Sequence, residues 1–155
     1  MDKLNLGAGN DLVVDAINHD LIKHRPEIDV AHDLDVYPWP WEDCSFDVIS
    51  AKAVFEHLRD TLLVSVGECW RILRPGGLLY MKLPMWDHER SYDDVTHYWR
   101  FTLRSCDVFD PDTEFGKKYA FYTERKWRII NPAVLNSGGT SLHITMARRE
   151  SAMRK

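Results

Sequence analysis

An apolar-leaning tetrapeptide, Lys3-Leu4-Asn5-Leu6, runs straight into Gly7-Ala8-Gly9 with no residues between them for a helix. Glycines directly after a strand let the backbone come close to a ligand, because no Cβ stands in the way. A second short apolar run, Val13 to Ile17, leads to Asn18-His19-Asp20, and an acid at the end of the next strand can accept from both hydroxyls of a ribose. The pattern points to a parallel sheet that holds a nucleoside at its carboxyl ends. A plain turn and a solvated loop acid would leave the same letters. Two departures argue against a dinucleotide: Leu12 stands where the third glycine of G-x-G-x-x-G belongs, and Asp20 follows Gly9 by eleven positions. A full helix between them would separate the acid by about 20 residues. The spacing therefore suits a nucleoside without phosphates.

The rest of the chain alternates between strand and helix signals. Asp29 to His32 reads as a brief third strand ending at Asp33, and Phe46 to Ala51 as a fourth. Between them Tyr37-Pro38-Trp39-Pro40-Trp41 must be a loop, since two prolines forbid both helix and central strand. From Asp60 to Leu73 the residues Leu63, Val66, Trp70 and Leu73 recur three or four apart, which predicts an amphipathic helix with Asp60 as N-cap. Pro75-Gly76-Gly77 ends it, and Leu78 to Leu83 follows as a strand expected to be covered on both faces. Phe101 to Phe109 suggests a short helix capped by Thr102. Lys126–Asn131 and Ser141–Arg148 flank the turn-prone Asn136-Ser137-Gly138-Gly139, an antiparallel hairpin pattern.

A chain of 155 residues makes one domain with a sizeable core, taken here as 1–155 with 149–155 as a disordered basic tail. No segment has the ~18 apolar residues of a membrane span, and the N-terminal residues lack a signal-peptide pattern, so a cytoplasmic location is expected. Cys44, Cys69 and Cys106 are odd in number and lack C-x-x-C spacing, against a disulfide framework or a structural zinc site. Residues 1–116 hold 22 acids and 11 Lys/Arg, whereas 117–155 hold 9 Lys/Arg with only Glu124 and Glu150. Such basic clusters can meet a phosphate-bearing partner, but more often they are solvated strand edges and a frayed tail.

Taken in order, five segments resemble the class I S-adenosylmethionine-dependent methyltransferases of the small-molecule type. They are Leu4-Asn5-Leu6-Gly7-Ala8-Gly9-Asn10, Asn18-His19-Asp20, the stretch from Asp33-Leu34 through Tyr37 to Asp47, Glu56-His57-Leu58, and Arg71-Ile72-Leu73-Arg74-Pro75-Gly76-Gly77. The resemblance covers residues 3–105 well and the closing hairpin loosely. It implies an α/β, Rossmann-like three-layer sandwich whose mostly parallel seven-stranded sheet closes with a C-terminal antiparallel hairpin. It also implies S-adenosyl-L-methionine as cofactor. Gly7, Ala8 and Gly9 would face its methionyl part, Asp20 the ribose hydroxyls, and Asp33 with the Leu34 amide the adenine. Ala51 would lie under the methyl donor. Relative to the family, the helix after the glycine turn is reduced to a turn, and the first strand begins almost at Met1. Incomplete burial of the cofactor follows, unless a second subunit or the acceptor covers it. Trp39 is read mainly as packing, with contact to the adenine as its alternative.

The acceptor side is expected after the fourth and fifth strands. His57 follows the fourth, and Asp94 and His97 lie in the polar and aromatic segment Ser91 to Phe101 after the fifth. Methyl transfer is mostly a matter of alignment, and a base is needed when a hydroxyl must lose its proton early. His57, His97 and Asp94 are therefore the candidate catalytic residues, and local hydrogen bonding that only holds the loop together is the competing account. Asp87, His88, Asp94 and His97 match no ligand spacing, so no metal is expected. The function expected is methyl transfer to a small or polar acceptor, O or N ahead of C. A non-catalytic nucleoside-binding module is the alternative and a nucleic-acid methyltransferase a weaker one. Nucleic acid and membrane are not expected as partners, and a homo-oligomer is compatible with the chain.

Overall fold

The computed structural model describes residues 1–150. Seven strands form one mixed sheet: β1 (Lys3–Leu6), β2 (Ile17–Asp20), β3 (Val30–Ala31), β4 (Phe46–Lys52), β5 (Leu73–Pro84), β6 (Trp127–Leu135) and β7 (Ser141–Arg148). Their order is β3-β2-β1-β4-β5-β7-β6. The first five pair in parallel, and β7 lies antiparallel to both β5 and β6. The mostly parallel sheet and its antiparallel C-terminal part are as expected. The second strand starts at Ile17, where Val13–Ile17 had been expected. Asp15, with φ 58°, and its neighbours form a turn, because the side-chain amide of Asn18 takes the Val13 amide and carbonyl and bends the chain back.

A single helix of substantial length, α1 (Leu62–Ile72), crosses from β4 to β5. It begins at Thr61, one residue past the expected cap. It buries Val66, Cys69 and Ile72 against Leu4, Ile49, Leu79 and Met146. Leu73 is already extended, with ψ 146°, so the Pro75-Gly76-Gly77 bend falls inside β5. Where Phe101–Phe109 suggested a helix there are turns and one tight turn at Asp107–Phe109. The helix there is α2 (Glu114–Lys118), and the Thr113 side chain caps it by accepting from the Gly116 amide.

Among the described residues helices cover one face of the sheet only, which corrects both the three-layer expectation and the two-faced burial of β5. Successive side chains on a strand point to opposite faces. Leu4, Leu6, Ile49, Ala51, Leu79, Met81, Leu83, Leu142, Ile144 and Met146 form the core, whereas Val48, Ser50, Lys52, Leu78, Tyr80, Lys82, His143 and Thr145 are half-buried. The letters of β5 do alternate, apolar against Tyr80 and Lys82, which is the mark of a wetted face. On that face the segment around Asp11 lies over β1 and β4, through Asn5 to the Asp11 carbonyl at 2.9 Å and Lys52 to its carboxylate at 2.7 Å.

The long connection from β3 to β4 is held by α1. Arg71 donates to Glu68 at 2.8 and 3.0 Å, to Asp43 at 2.8 Å, and to the carbonyls of Trp39 and Trp41 at 3.1 and 2.8 Å. Glu68 in turn accepts from the Trp39 amide at 2.9 Å. Trp39, 2 % exposed, donates its ring N–H to the Leu34 carbonyl at 2.9 Å. Trp39 is thus a packing residue that fixes Leu34 from behind, on the path to the cleft described below. Removing one partner of a buried pair leaves an uncompensated charge. Arg71→Ala should therefore lose about 3–5 kcal/mol of unfolding free energy in a denaturant titration, with Arg71→Lys recovering little, since an ammonium cannot serve these acceptors together.

Candidate active site

The carboxyl ends of β1 to β4 open into a cleft of about 580 Å³, within the usual range for a small-molecule site. Its walls include Gly7, Gly9, Asp20, Asp33, Leu34 and His57. The three successive amides of the glycine turn all bond to the end of β2. The Ala8 amide donates to the His19 carbonyl at 2.8 Å, Gly9 to Asp20 Oδ2 at 2.7 Å, and Gly7 to His19 Nδ1 at 3.4 Å. Gly7 and Gly9 have φ of 58° and 52°, a region that L side chains rarely adopt. Their roles differ. A Cβ on Gly7 would stand 2.6 Å from Val54 Cγ2, whereas one on Gly9 would meet nothing within 4 Å. Gly7 is needed for packing, and Gly9 is the open side of the turn.

Asp20 also accepts from the Leu21 amide through Oδ1 at 2.7 Å. Each of its oxygens therefore has one internal partner and keeps acceptor capacity for a hydroxyl. Asp33 accepts from the Asp35 amide through Oδ1 at 2.9 Å, leaving Oδ2 open. The Leu34 amide donates no hydrogen bond among the described residues. An acid for two hydroxyls, a carboxylate oxygen and a spare amide for a base, and an uncrowded glycine fit a nucleoside bearing a small extension. Ala8 and Ala51, expected in contact with it, are buried at 3 % and 0 % exposure and do not form cleft walls. Ala53, with φ 53°, lines the cleft after β4 instead.

The acceptor-side residues gather where the tight turn Phe55–His57 meets the 91–101 loop. That loop is docked by the Tyr98 amide to the Glu56 carbonyl at 2.7 Å and Trp99 Nε1 to the Leu58 carbonyl at 2.8 Å. His57 Nδ1 is 2.9 Å from Thr96 Oγ1, which donates to Asp94 Oδ1 at 2.6 Å. The His97 ring lies edge-on to that of His57, centroids 4.6 Å apart. The structure therefore brings His57, His97 and Asp94 together beside the cleft. His57 and Thr96 line it, and Tyr98 forms part of its wall. His97 and Asp94 stand behind, and no hydrogen bond or ion pair joins these two among the described residues. Burial, then the neighbouring His97, holds His57 below its ordinary pKa. Thr96 hydrogen bonds hold exposed Asp94 below the usual carboxylate value. Burial pushes Glu56 up to about 7.

Thr96, Glu56 and His19 are site residues that sequence reasoning passed over. His19 sat inside a quoted motif, and its alternation with Asn18 and Asp20 marked it as pointing to the core. Basic tail residues behave otherwise than expected at one position: Arg149 is bound to the carboxylates of Asp110, at 2.9 Å, and Asp112. Residues 151–155 of the expected tail lie outside the described residues.

The model of the methyltransferase domain family matches residues 4–81, half of the chain. A Mycolicibacterium smegmatis protein named as a probable S-adenosylmethionine-dependent methyltransferase is 35% identical over 89 residues, 50% of this chain. The match spans 34% of that protein's length. Among solved structures, YcgJ from Bacillus subtilis superposes with a TM-score of 0.63 at 15% identity, over 96% of this chain and 92% of its own. The Burkholderia thailandensis 1,6-didemethyltoxoflavin N1-methyltransferase, solved with its substrate and S-adenosylhomocysteine, gives 0.60 at 14% identity over 96% and 71%. At these identities the structural likeness is one of fold.

His19 supplies a pH test of the turn that frames the cleft. Its Nε2 lies 2.9 Å from the His32 carbonyl, which can only accept, so Nδ1 carries the lone pair that receives the Gly7 amide. Burial first of all, with nearby His32, depresses its pKa below 6.5, against the His32 hydrogen bond and the charge of Asp20. A depressed folded pKa contributes stability that is present above 6.5 and lost as pH falls through the folded value. The melting-temperature difference between wild type and His19→Gln, which retains a donor and an acceptor, should narrow as pH is lowered from 7 to about 5. A difference that is constant with pH would contradict it.

Proposed function

The chain belongs to the methyltransferase domain family, and we propose that it transfers a methyl group from S-adenosyl-L-methionine to an oxygen or nitrogen of a small or polar acceptor. The observation that carries this reading is the convergence of Gly9, Asp20, Asp33, Leu34 and His57 on one cleft. Asp20 receives the ribose hydroxyls, and Asp33 Oδ2 with the Leu34 amide receives the adenine. Gly9 leaves room for the methionyl end. When bound there, the cofactor supplies an activated methyl carbon.

The protein's own residues then select and orient the acceptor. His57 is held by Thr96 with its Nδ1 protonated, so its Nε2 lone pair is free. Such a lone pair suits an acceptor whose oxygen or nitrogen must lose a proton as it is methylated. Asp94 works through Thr96 to fix the His57 ring and is a positioning residue. Tyr98 walls the acceptor side. Among the described residues that line the cleft Arg59 is the one Lys or Arg, which favours a small acceptor over a nucleic acid.

Calorimetry with S-adenosylhomocysteine tests this reading. One molecule should bind per chain. Asp20→Asn should weaken binding about 10- to 100-fold, since a hydrogen bond to a charged group contributes about 1.5–3 kcal/mol. Asp33→Asn should cost less, because the amide oxygen still accepts. Absence of binding by a folded wild type, or equal affinity for wild type and Asp20→Asn, would overturn it.

A further inference from the structure

Three donor groups converge where the wall of the cleft meets the 91–101 loop, and His57 among them lines the cleft. One donor atom each from Glu56, His57 and His97 lies within 4.8 Å of those of the other two. The hydrogen bonds around them determine the protonation of both rings. The Ser91 carbonyl, 3.3 Å from His97 Nδ1, can only accept, so that nitrogen carries a proton. The Thr96 hydroxyl gives its one proton to Asp94, so it must accept from His57 Nδ1. Both imidazoles therefore hold a proton at Nδ1 and a lone pair at Nε2, and neither Nε2 has a hydrogen-bond partner among the described residues. Histidines that bind metals are oriented in this way, by a carbonyl or a carboxylate chain on the opposite nitrogen.

Glu56 is the second, independent sign. It is 1 % exposed, and its Oε2 is buried without any hydrogen-bond partner. No Lys, Arg or His lies within ion-pair distance of it among the described residues. Lys82 acts on it only at longer range, and Asp94 opposes its ionisation. A buried carboxylate left unpaired is costly, and two neutral imidazoles near it offer no positive charge. One cation satisfies all three groups together.

We propose that Glu56, His57 and His97 bind one divalent transition-metal ion on the acceptor side of the cleft. Two imidazoles and a carboxylate favour Zn²⁺, Co²⁺ or Fe²⁺ over Mg²⁺ and Ca²⁺, which take oxygen ligands. Three protein ligands leave positions for water or substrate. Bonds of about 2.1 Å bring donor atoms to roughly 3–3.5 Å of one another, so the rings and carboxylate draw together on binding. Given the methyl-transfer reading, on which this further step rests, the acceptor is an oxygen-bearing molecule that ligates the ion. Its bound hydroxyl then gives its proton to water at lower pH. With the ion in place His57 is a ligand, and the ion takes over the work of a base.

The test is titration of the whole chain, freed of metal by chelator, with Co²⁺ followed by visible absorption. We expect one Co²⁺ per chain with d–d bands of nitrogen and oxygen ligation, displaced by one equivalent of Zn²⁺. Glu56→Gln and His97→Ala should each weaken binding by more than about 100-fold, and Asp94→Asn by about 10-fold through the Thr96–His57 chain. His143→Phe, on the uncovered sheet face, should leave it unchanged. Glu56→Gln removes a buried charge and should retain the wild-type melting temperature, so it decides alone where His97→Ala fails to fold. No stoichiometric Co²⁺, or equal Co²⁺ affinity in folded Glu56→Gln, overturns the site. S-Adenosylhomocysteine affinity on the same samples separates the two readings: its loss with Co²⁺ binding intact would count against methyl transfer alone.

Discussion

The end of β2 holds the glycine turn in place. Gly7, Ala8 and Gly9 give their amides in succession to His19 Nδ1, the His19 carbonyl and Asp20 Oδ2. In a strand–turn–helix unit, a helix after the turn would take over its geometry and satisfy neighbouring backbone groups. Here residues 7–16 contain no helix, and two consecutive side chains of the next strand do that work. The same His19 reaches the His32 carbonyl at 2.9 Å, so one buried imidazole ties the ends of β1, β2 and β3. The acid that can receive a ribose is thereby part of the scaffold that shapes its own site.

This economy extends to the whole sheet. With helices on one face, the core lies between alternate strand residues and α1, and the long 32–45 connection must be pinned from that side. Arg71 and Glu68 do so through three hydrogen bonds that the guanidinium donates to Trp39, Trp41 and Asp43 and one that Glu68 accepts from the Trp39 amide. Trp39 passes that constraint to Leu34, whose amide stands at the cleft. Stability and this edge of the cleft therefore share the same side chains.

Much of this was legible in the sequence because short-range chemistry set it. The glycine pair, the acid eleven residues on and the proline–tryptophan loop stand where expected, and the Ser141–Arg148 strand has the expected ends. What escaped depended on long-range neighbours. The letters of β5 alternate as those of a wetted strand do, yet Lys82 is the one charge between Leu78 and Leu83, so the segment also reads as covered; among the described residues no helix lies above Tyr80 and Lys82. That the amides of Gly7, Ala8 and Gly9 bond to His19 and Asp20 was not visible in the letters, because it follows from the parallel β1–β2 pairing. Ala53 replaced Ala51 at the cleft because the chain turns with positive φ after Lys52. The Glu56–His57–His97 cluster has no sequence spacing to betray it: two of its members are adjacent and the third lies forty residues away.

The claim at the centre is that Asp20 holds the glycine turn and a ribose at once. A crystal structure of the chain with S-adenosylhomocysteine examines both together. The expected result is both ribose hydroxyls within hydrogen-bond distance of Asp20, with the bonds from Gly9 and Leu21 to its carboxylate retained. A ligand bound elsewhere, or bound in the cleft with its ribose out of reach of Asp20, would contradict it.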